Sequence, residues 1–255
     1  MTYSEARDAL KAAGIENFDI EARILEEELG DKLEAAIKKR CSGYPLQYII
    51  GKWWLARCEF FVDESCLVPR PDTETVIEQA VKLLPRDAVF ADLCTGSGCI
   101  AISVLDMRPD TRADAYELYP ETLDMARKNA AHNGVDQRFC GILGDVTDKS
   151  LLGDKKYAAI ISNPPYIRHD VVPTLSREVS FEPAAALDGG VDGLDFYRAI
   201  VSNFAVNLDD GGKFIFEIGF DQAEDLKNIA KERGFCCRIV RDLGGNDRVA
   251  VLWRE

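Results

Sequence analysis

The residues best suited to chemistry are Ser-Asn-Pro-Pro-Tyr at 162–166, directly after the apolar run YAAIIS. Two consecutive prolines fix φ and offer no N–H, and Pro165 pushes Pro164 towards extended geometry. The carbonyls of this stretch are therefore rigid and free to accept hydrogen bonds. Asn163 adds a side-chain acceptor and donor, and Tyr166 adds a flat aromatic face. An amide or exocyclic amine nitrogen is a poor nucleophile, because its lone pair is delocalised into the adjoining π system. Accepting both of its hydrogens, on the Asn163 oxygen and the Pro164 carbonyl, aims that lone pair at an incoming methyl group, while stacking on Tyr166 holds the plane. A sulfonium is a strong electrophile, so alignment for in-line displacement supplies much of the rate. No catalytic histidine is required, and the chain has only His132 and His169. Asn163, Pro164 and Tyr166 are the candidate catalytic residues, and together with Pro165 they are candidate substrate contacts. The same tetrapeptide also occurs as a plain proline turn closing a strand.

A second cluster, Ala-Asp-Leu-Cys-Thr-Gly-Ser-Gly-Cys-Ile-Ala at 91–101, ends one apolar run and opens another. Gly96 and Gly98 let the backbone turn sharply and approach a ligand without a Cβ in the way. Such a turn lies at the C-terminal edge of an α/β sheet, where nucleotides bind. Alone it is a weak signal, because strand–helix turns use glycine for geometry. Asp92 before it suits an amine or sulfonium cation better than a pyrophosphate. The third glycine of a dinucleotide fingerprint is Ala101, and no G-K-[ST] follows. Glu117 ends the next strand, where an acid can accept both ribose hydroxyls; otherwise it is a solvated strand end. Asp145 either faces an adenine edge or forms the turn after Gly144. The candidate cofactor contacts are Asp92, Thr95, Gly96, Gly98, Glu117, Asp145 and Asn163, and the expected cofactor is S-adenosylmethionine.

These residues need a sheet to carry them. AVFADL (88–93), RADAYEL (112–118), RFCGILGD (138–145), YAAIIS (157–162) and GGKFIFEIG (211–219) read as strands. Between or after them, CIAISVLDM, Pro120–His132, about Phe196–Leu208 and DQAEDLKNIAKERG read as helices. That alternation predicts a parallel α/β sheet with right-handed crossovers. FCCRIVRDL and DRVAVLWRE meet at the turn GGN (244–246), so the last strand should run antiparallel. Residues 1–43 read as a small helical domain, with apolar residues at three- and four-residue spacing and Gly14 and Gly30 at cap positions. This region either covers the next domain or docks a partner. The stretch 44–71, rich in aromatic and β-branched residues, reads as a β-hairpin linker, and 72–255 as the domain that carries the chemistry.

Composition narrows the class. Of 255 residues, 47% are hydrophobic and 29% charged, the balance of a soluble globular protein, and no run is long enough to span a bilayer. The formal net charge of -13 argues against bulk duplex DNA or structured RNA as substrate. The N-terminus has early acidic residues and no apolar signal region. None of the eight cysteines forms a C-x-x-C pair, which favours free thiols in a reducing cytoplasm over disulfides or a metal site.

With these motifs in order, the chain resembles the release factor glutamine methyltransferases, the HemK/PrmC type. G-x-P-L-Q-Y-I-x-G (43–51) is similar to that family's linker entry. L-V-P-R-P-D-T-E (67–74) is similar to its signature loop, with Arg70, Asp72 and Glu74 in place. F-E-P-x-x-A-L (181–187), D-G-L-D-F-Y-R (192–198) and D-L-G-G-N-D-R-V (242–249) match later stretches. N-P-P-Y by itself is shared with adenine and guanine amino-methyltransferases, which leaves an exocyclic amine of RNA or DNA as the alternative substrate. The resemblance implies a Rossmann-like class I methyltransferase sheet behind a helical domain. It also implies a monomer acting in the cytoplasm on the Gly-Gly-Gln glutamine of class I peptide-chain release factors, with no membrane or stable nucleic-acid partner. Asn163 and Pro164 would bind the glutamine amide and Tyr166 would pack on it. Arg70 would either shape the pocket wall or form an internal ion pair that locks the linker. Two departures stand out. Cys94 replaces the first glycine of the cofactor loop, which is tolerable if φ there is negative, and the N-terminal helical region is short.

Overall fold

In the computed structural model, which describes residues 1–255, the chain opens with helices α1 (Tyr3–Ala12), α2 (Phe18–Leu29) and α3 (Leu33–Cys41). Thr2 and Glu5 close a capping box on α1, each satisfying the other's backbone N–H. Leu10, Leu25 and Ile37 are buried together from the three helices. Leu46 of a short fourth helix, α4 (Leu46–Ile50), joins the same core. The hairpin expected over 44–71 is consequently narrower: β1 (Lys52–Leu55) and β2 (Cys58–Phe61) alone form it. Burial of Leu46 pulls the start of that stretch into a helix, and Gly51, at φ 78, ends it. Trp53 packs against both this small core and the larger one that follows.

Next comes α5 (Glu74–Leu83), a helix not anticipated from the sequence. Its buried face is only Val76, Ile77 and Ala80, a stripe short enough to be lost beside the motif that precedes it. Then follow β3 (Val89–Leu93), α6 (Cys99–Met107), β4 (Arg112–Glu117), α7 (Pro120–His132), β5 (Phe139–Leu143) and β6 (Tyr157–Ser162). The chain closes with α8 (Asp195–Phe204), β7 (Leu208–Glu217), α9 (Ala223–Glu232), β8 (Cys236–Arg241) and β9 (Asp247–Trp253).

The sheet order is β5-β4-β3-β6-β7-β9-β8. The first five of these run parallel, and β9 is antiparallel to both β7 and β8, as the tight turn required. Alternation along the strands separates two cores. Phe90, Ile161 and Ile215 join the residues of α5, α6 and α7 on one face, whereas Ala91, Ile160, Phe214 and Phe216 join those of α8 and α9 on the other. From β3 the chain steps outward to β4 and β5, then returns to place β6 on the other side of β3. The C-terminal ends of β3 and β6 therefore flank the switch point, the crevice where open α/β sheets bind ligands. Both sequence motifs leave the sheet there. No helix is long and apolar enough to cross a membrane.

Candidate active site

The loop after β3 is held from below. Asp92 is fully buried, and its Oδ2 accepts from Thr95 Oγ1 at 2.6 Å and from the Ala101 backbone N–H at 3.2 Å. Ala101 lies in the first turn of α6, so the carboxylate caps that helix at its positive end. Asp92 does not border the cavity above the loop. Its Oδ1 has no partner, and burial pushes its pKa up to about 7. The two glycines divide their work. Gly96, at φ 57, has open space where a Cβ would stand, whereas a Cβ on Gly98 would meet Ile102 of α6 at 2.7 Å and Ala126 of α7 at 3.3 Å. Gly96 thus opens the loop towards a ligand, and Gly98, which does not border the cavity, lets two helices close. Cys94 takes φ 58, so the condition under which a thiol was tolerable there is not met. A non-glycine residue in this region costs about 1–2 kcal/mol, and its neighbours must hold it there.

Above the loop lies a cavity of about 270 Å³ bordered by Thr95, Gly96, Glu117, Asp145, Asn163 and Pro165, among others. Glu117 is 8% exposed. Its Oε2 accepts from the Gly96 N–H at 3.0 Å and its Oε1 from the N–H groups of Leu118 and Tyr119 at 2.9 and 3.2 Å. Burial raises its pKa, against these three bonds that lower it. Asp145 serves its turn with one oxygen, accepting from the Thr147 N–H at 2.8 Å and hydroxyl at 2.7 Å, and keeps the other free. Charged residues on this wall are Glu117, Asp145, Asp188 and Arg70. A wall with three acids and one cation fits a sulfonium and an ammonium and leaves a pyrophosphate unneutralised. Cys66 and Cys99 also face this space, and burial raises the pKa of each to about 12, so they stay neutral thiols.

A second cavity lies beyond Asn163, bordered by Tyr166, Leu175, Glu178, Val179 and Glu217. Leu67, Arg70, Asn163 and Ala186 border both spaces. The Asn163 amide makes no hydrogen bond within the protein, and the residue borders both cavities. Pro164 is buried and borders neither cavity. The tetrapeptide is fixed from behind. The Tyr166 carbonyl accepts from Gln222 Nε2 at 3.0 Å, and Ile167 bridges to the 187–189 segment, donating to the Leu187 carbonyl and accepting from the Gly189 N–H. Gly189 passes so close that a Cβ would sit 2.7 Å from the Tyr166 Cα. The Tyr166 hydroxyl points at Glu217 Oε1, 3.4 Å away, and burial followed by that carboxylate raises its pKa.

The stretch Arg70–Glu74 ties four parts of the molecule to this site. Arg70 pairs with the buried Glu182, whose Oε2 also accepts from the Val68 N–H at 3.2 Å. Asp72 pairs with Arg248 of β9 at 3.1 Å. Thr73 donates to Glu217 Oε2, at the end of β7, at 2.7 Å. Glu74 accepts from the N–H of Ala56 at the hairpin turn, 3.0 Å. Arg70 therefore makes an internal ion pair and borders the cavities as well. Glu182, Glu217 and Asn129 carry weight that sequence reasoning did not assign. Asn129 is fully buried, binds both backbone groups of Phe61, and donates to the Ser97 carbonyl at 2.8 Å, joining hairpin to loop. A signal existed for Glu217, the acid that closes the apolar run Phe214–Phe216 at the end of β7; Asn129 on an amphipathic helix offered none.

Comparison with known proteins gives a consistent set of relatives. A family model described as the methyltransferase small domain matches residues 73–187, and one described as the PrmC N-terminal domain matches 24–51. A release factor glutamine methyltransferase of Geobacter sulfurreducens is 39% identical over 84% of this chain and 74% of its own length. One from Moorella thermoacetica is 35% identical over 98% of this chain and 96% of its own. Among solved structures, the catalytic domain of hMettl16, in complex with an RNA hairpin, superposes with a TM-score of 0.61 at 19% identity, covering 77% of this chain and 75% of that one. A methyltransferase from Pyrococcus furiosus gives 0.54 at 18% identity, over 77% and 88%. At that identity the two structures establish the fold alone.

Proposed function

The chain belongs to the release factor glutamine methyltransferase family, and on that premise we propose that it methylates the side-chain amide nitrogen of the glutamine in the Gly-Gly-Gln motif of class I peptide-chain release factors. S-adenosylmethionine, when bound, supplies the methyl group as an electrophilic sulfonium. Gly96, Glu117 and Asp145 would hold it, Glu117 through the ribose and Asp145 through the adenine. Asp92, which does not border the cavity, would shape the loop from beneath, and Thr95, which does, would line the cofactor site beside Gly96.

The carrying observation is Asn163: it borders both cavities, and its amide has no protein partner. A glutamine side chain entering from the second cavity would give one amide hydrogen to the Asn163 oxygen; the Pro164 carbonyl, which borders neither cavity, would have to turn towards the substrate to accept the other. The substrate nitrogen then turns its lone pair towards the first cavity, and Tyr166 keeps the amide plane from rotating. Holding the nitrogen in line removes rotational freedom before the reaction, which in well-oriented systems lowers barriers by several kcal/mol. The wall of the second cavity favours a neutral amide over a nucleic-acid base. Its one cation, Arg70, is already paired with Glu182, so with Glu178 and Glu217 also on the wall no free positive charge is left to meet a phosphate backbone.

Residues 1–43 would dock the release factor, 44–71 link, and 72–255 perform the transfer. Mass spectrometry of a purified release factor, after incubation with this protein and S-adenosylmethionine, tests the whole reading. One added methyl on the Gly-Gly-Gln glutamine is the expected result. An unmodified glutamine, with cofactor binding demonstrated, would overturn the substrate assignment.

A further inference from the structure

The wall of the second cavity is a strap with little structure of its own. Leu175, Glu178 and Val179 border the cavity, and between Ser176 and Glu182 the backbone makes only local bonds of 3.0–3.3 Å. Such a stretch has no ladder to fix it, so side chains must. Arg40 on α3 does so from one side. It is 4% exposed, and its Nε and Nη2 donate to Glu21 of α2 at 2.5 and 3.1 Å. The same Nη2 donates to Glu178 Oε2 at 3.0 Å, and Nη1 donates to the Tyr44 carbonyl at 3.3 Å. The Tyr44 ring meets Phe181 of the strap edge-on at 5.1 Å. Arg177 crosses Gly43 so closely that a Cβ there would stand 2.9 Å from its Cδ. From the other side, Arg70 holds Glu182.

We propose that the N-terminal helices set the geometry of the substrate cavity, with Arg40 and Glu178 as positioning residues for methyl transfer. This rests on the reading of the second cavity as the glutamine site. Glu21 pre-orients the planar guanidinium, so its remaining donors reach the strap with little loss of freedom. The helical region is then more than a cover or a docking platform, the two readings the sequence left open. A partner seated on α2 and α3 would press on the same arginine that fixes the wall.

The strap is tested through Glu178, because Arg40 cannot be removed without stranding the buried Glu21, whereas the Glu178 side chain is 36% exposed and can be lost without unfolding. With full-length release factor as substrate, Glu178→Ala should lower kcat roughly tenfold, a loss typical of modest misplacement. KM for the release factor and affinity for S-adenosylmethionine should stay unchanged. Glu178→Gln keeps a carbonyl acceptor within reach and should recover part of the loss. Hydrogen exchange should quicken in 171–182 and stay as before in α1 and α2. A raised KM with kcat intact would mean a docking role, and a lowered melting temperature with kcat intact would mean a merely structural one; either overturns the proposal. Exchange needs no substrate. If the wild-type protein failed to methylate release factor, the functional reading would fall alone, while unchanged exchange in Glu178→Ala would sink the strap by itself.

Discussion

Asn163 and Glu117 each border the first cavity, but they differ in what they leave behind when removed. Asn163 has no partner in the protein, so Asn163→Ala strands nothing and should not disturb the fold. It deletes one acceptor for the substrate amide, and kcat should fall by about a hundredfold or more. Affinity for S-adenosylmethionine, measured by calorimetry, should change little; equal loss of both would place Asn163 with the cofactor alone. Glu117 is the opposite case, since three backbone N–H groups rest on its carboxylate. Glu117→Ala would free those donors and remove the charge-assisted bonds expected to the ribose, each worth about 1.5–3 kcal/mol. The cofactor dissociation constant should rise roughly a hundredfold or more, with kcat at saturating cofactor much less affected. Unchanged affinity would return Glu117 to the role of a loop anchor. Both residues were legible in the sequence because each closes an apolar strand with a polar side chain, where a parallel sheet exposes its ligand edge. Cys94 was legible as a departure, but its left-handed backbone was not, since φ follows from how the loop is held and not from the thiol.

At the scale of elements, the Arg70–Glu74 stretch is a staple. It joins the strap through Glu182, the last strand through Arg248, the end of β7 through Glu217 and the hairpin through Ala56. Thr73 is its most buried member, at 1% exposure, and its hydroxyl is a proper donor to the Glu217 carboxylate. Thr73→Val keeps the shape and removes that donor from a buried charge. The cost should be about 1–3 kcal/mol, visible as a lowered urea midpoint with an unchanged m-value. An unaltered midpoint would show that the hydroxyl is replaceable by water. Periodicity alone located the strands from β3 to β9 and the helices α6, α7 and α9 closely, because each carries a full stripe or alternation. It missed α5, with its short apolar face, and overextended the hairpin. Leu46 sits among residues that look suited to a strand, and only its packing against Leu10, Leu25 and Ile37 selects a helix. The sequence offers the staple as a pocket wall or an internal ion pair but does not reveal its partners, because those four lie 18 to 176 positions away along the chain.

For the molecule as a whole, the acids at the ligand edge carry a cost that shows in pH dependence. Burial raises Asp92 and Glu217 to about 7, against ordinary values of 3.8 and 4.5, and it raises Glu117 and Glu182 in the same direction. A carboxyl whose folded value lies above its unfolded one holds the extra proton in the native state. Stability is therefore greatest below the unfolded value and declines as pH rises through the folded one. Global stability from urea unfolding should fall between about pH 5 and about pH 8. Carboxylates with lowered values, such as Asp110 and Asp242, act in the opposite sense, but only below their ordinary 3.8, outside this window. His169, raised above 6.5 by Asp188, adds to the decline, so the wild-type slope is shared among several groups. Glu217→Gln separates them: a neutral amide still accepts from Thr73 and no longer titrates. Its stability curve should be flatter over pH 5–8 and should cross above the wild type near neutrality. The protein would thus gain stability by losing a carboxyl group that borders the second cavity, while kcat falls because the Tyr166 hydroxyl loses the carboxyl group it faces. Parallel curves for the two proteins would show that Glu217 is ionised throughout, stabilised by the nearby Arg248 charge more than burial opposes it.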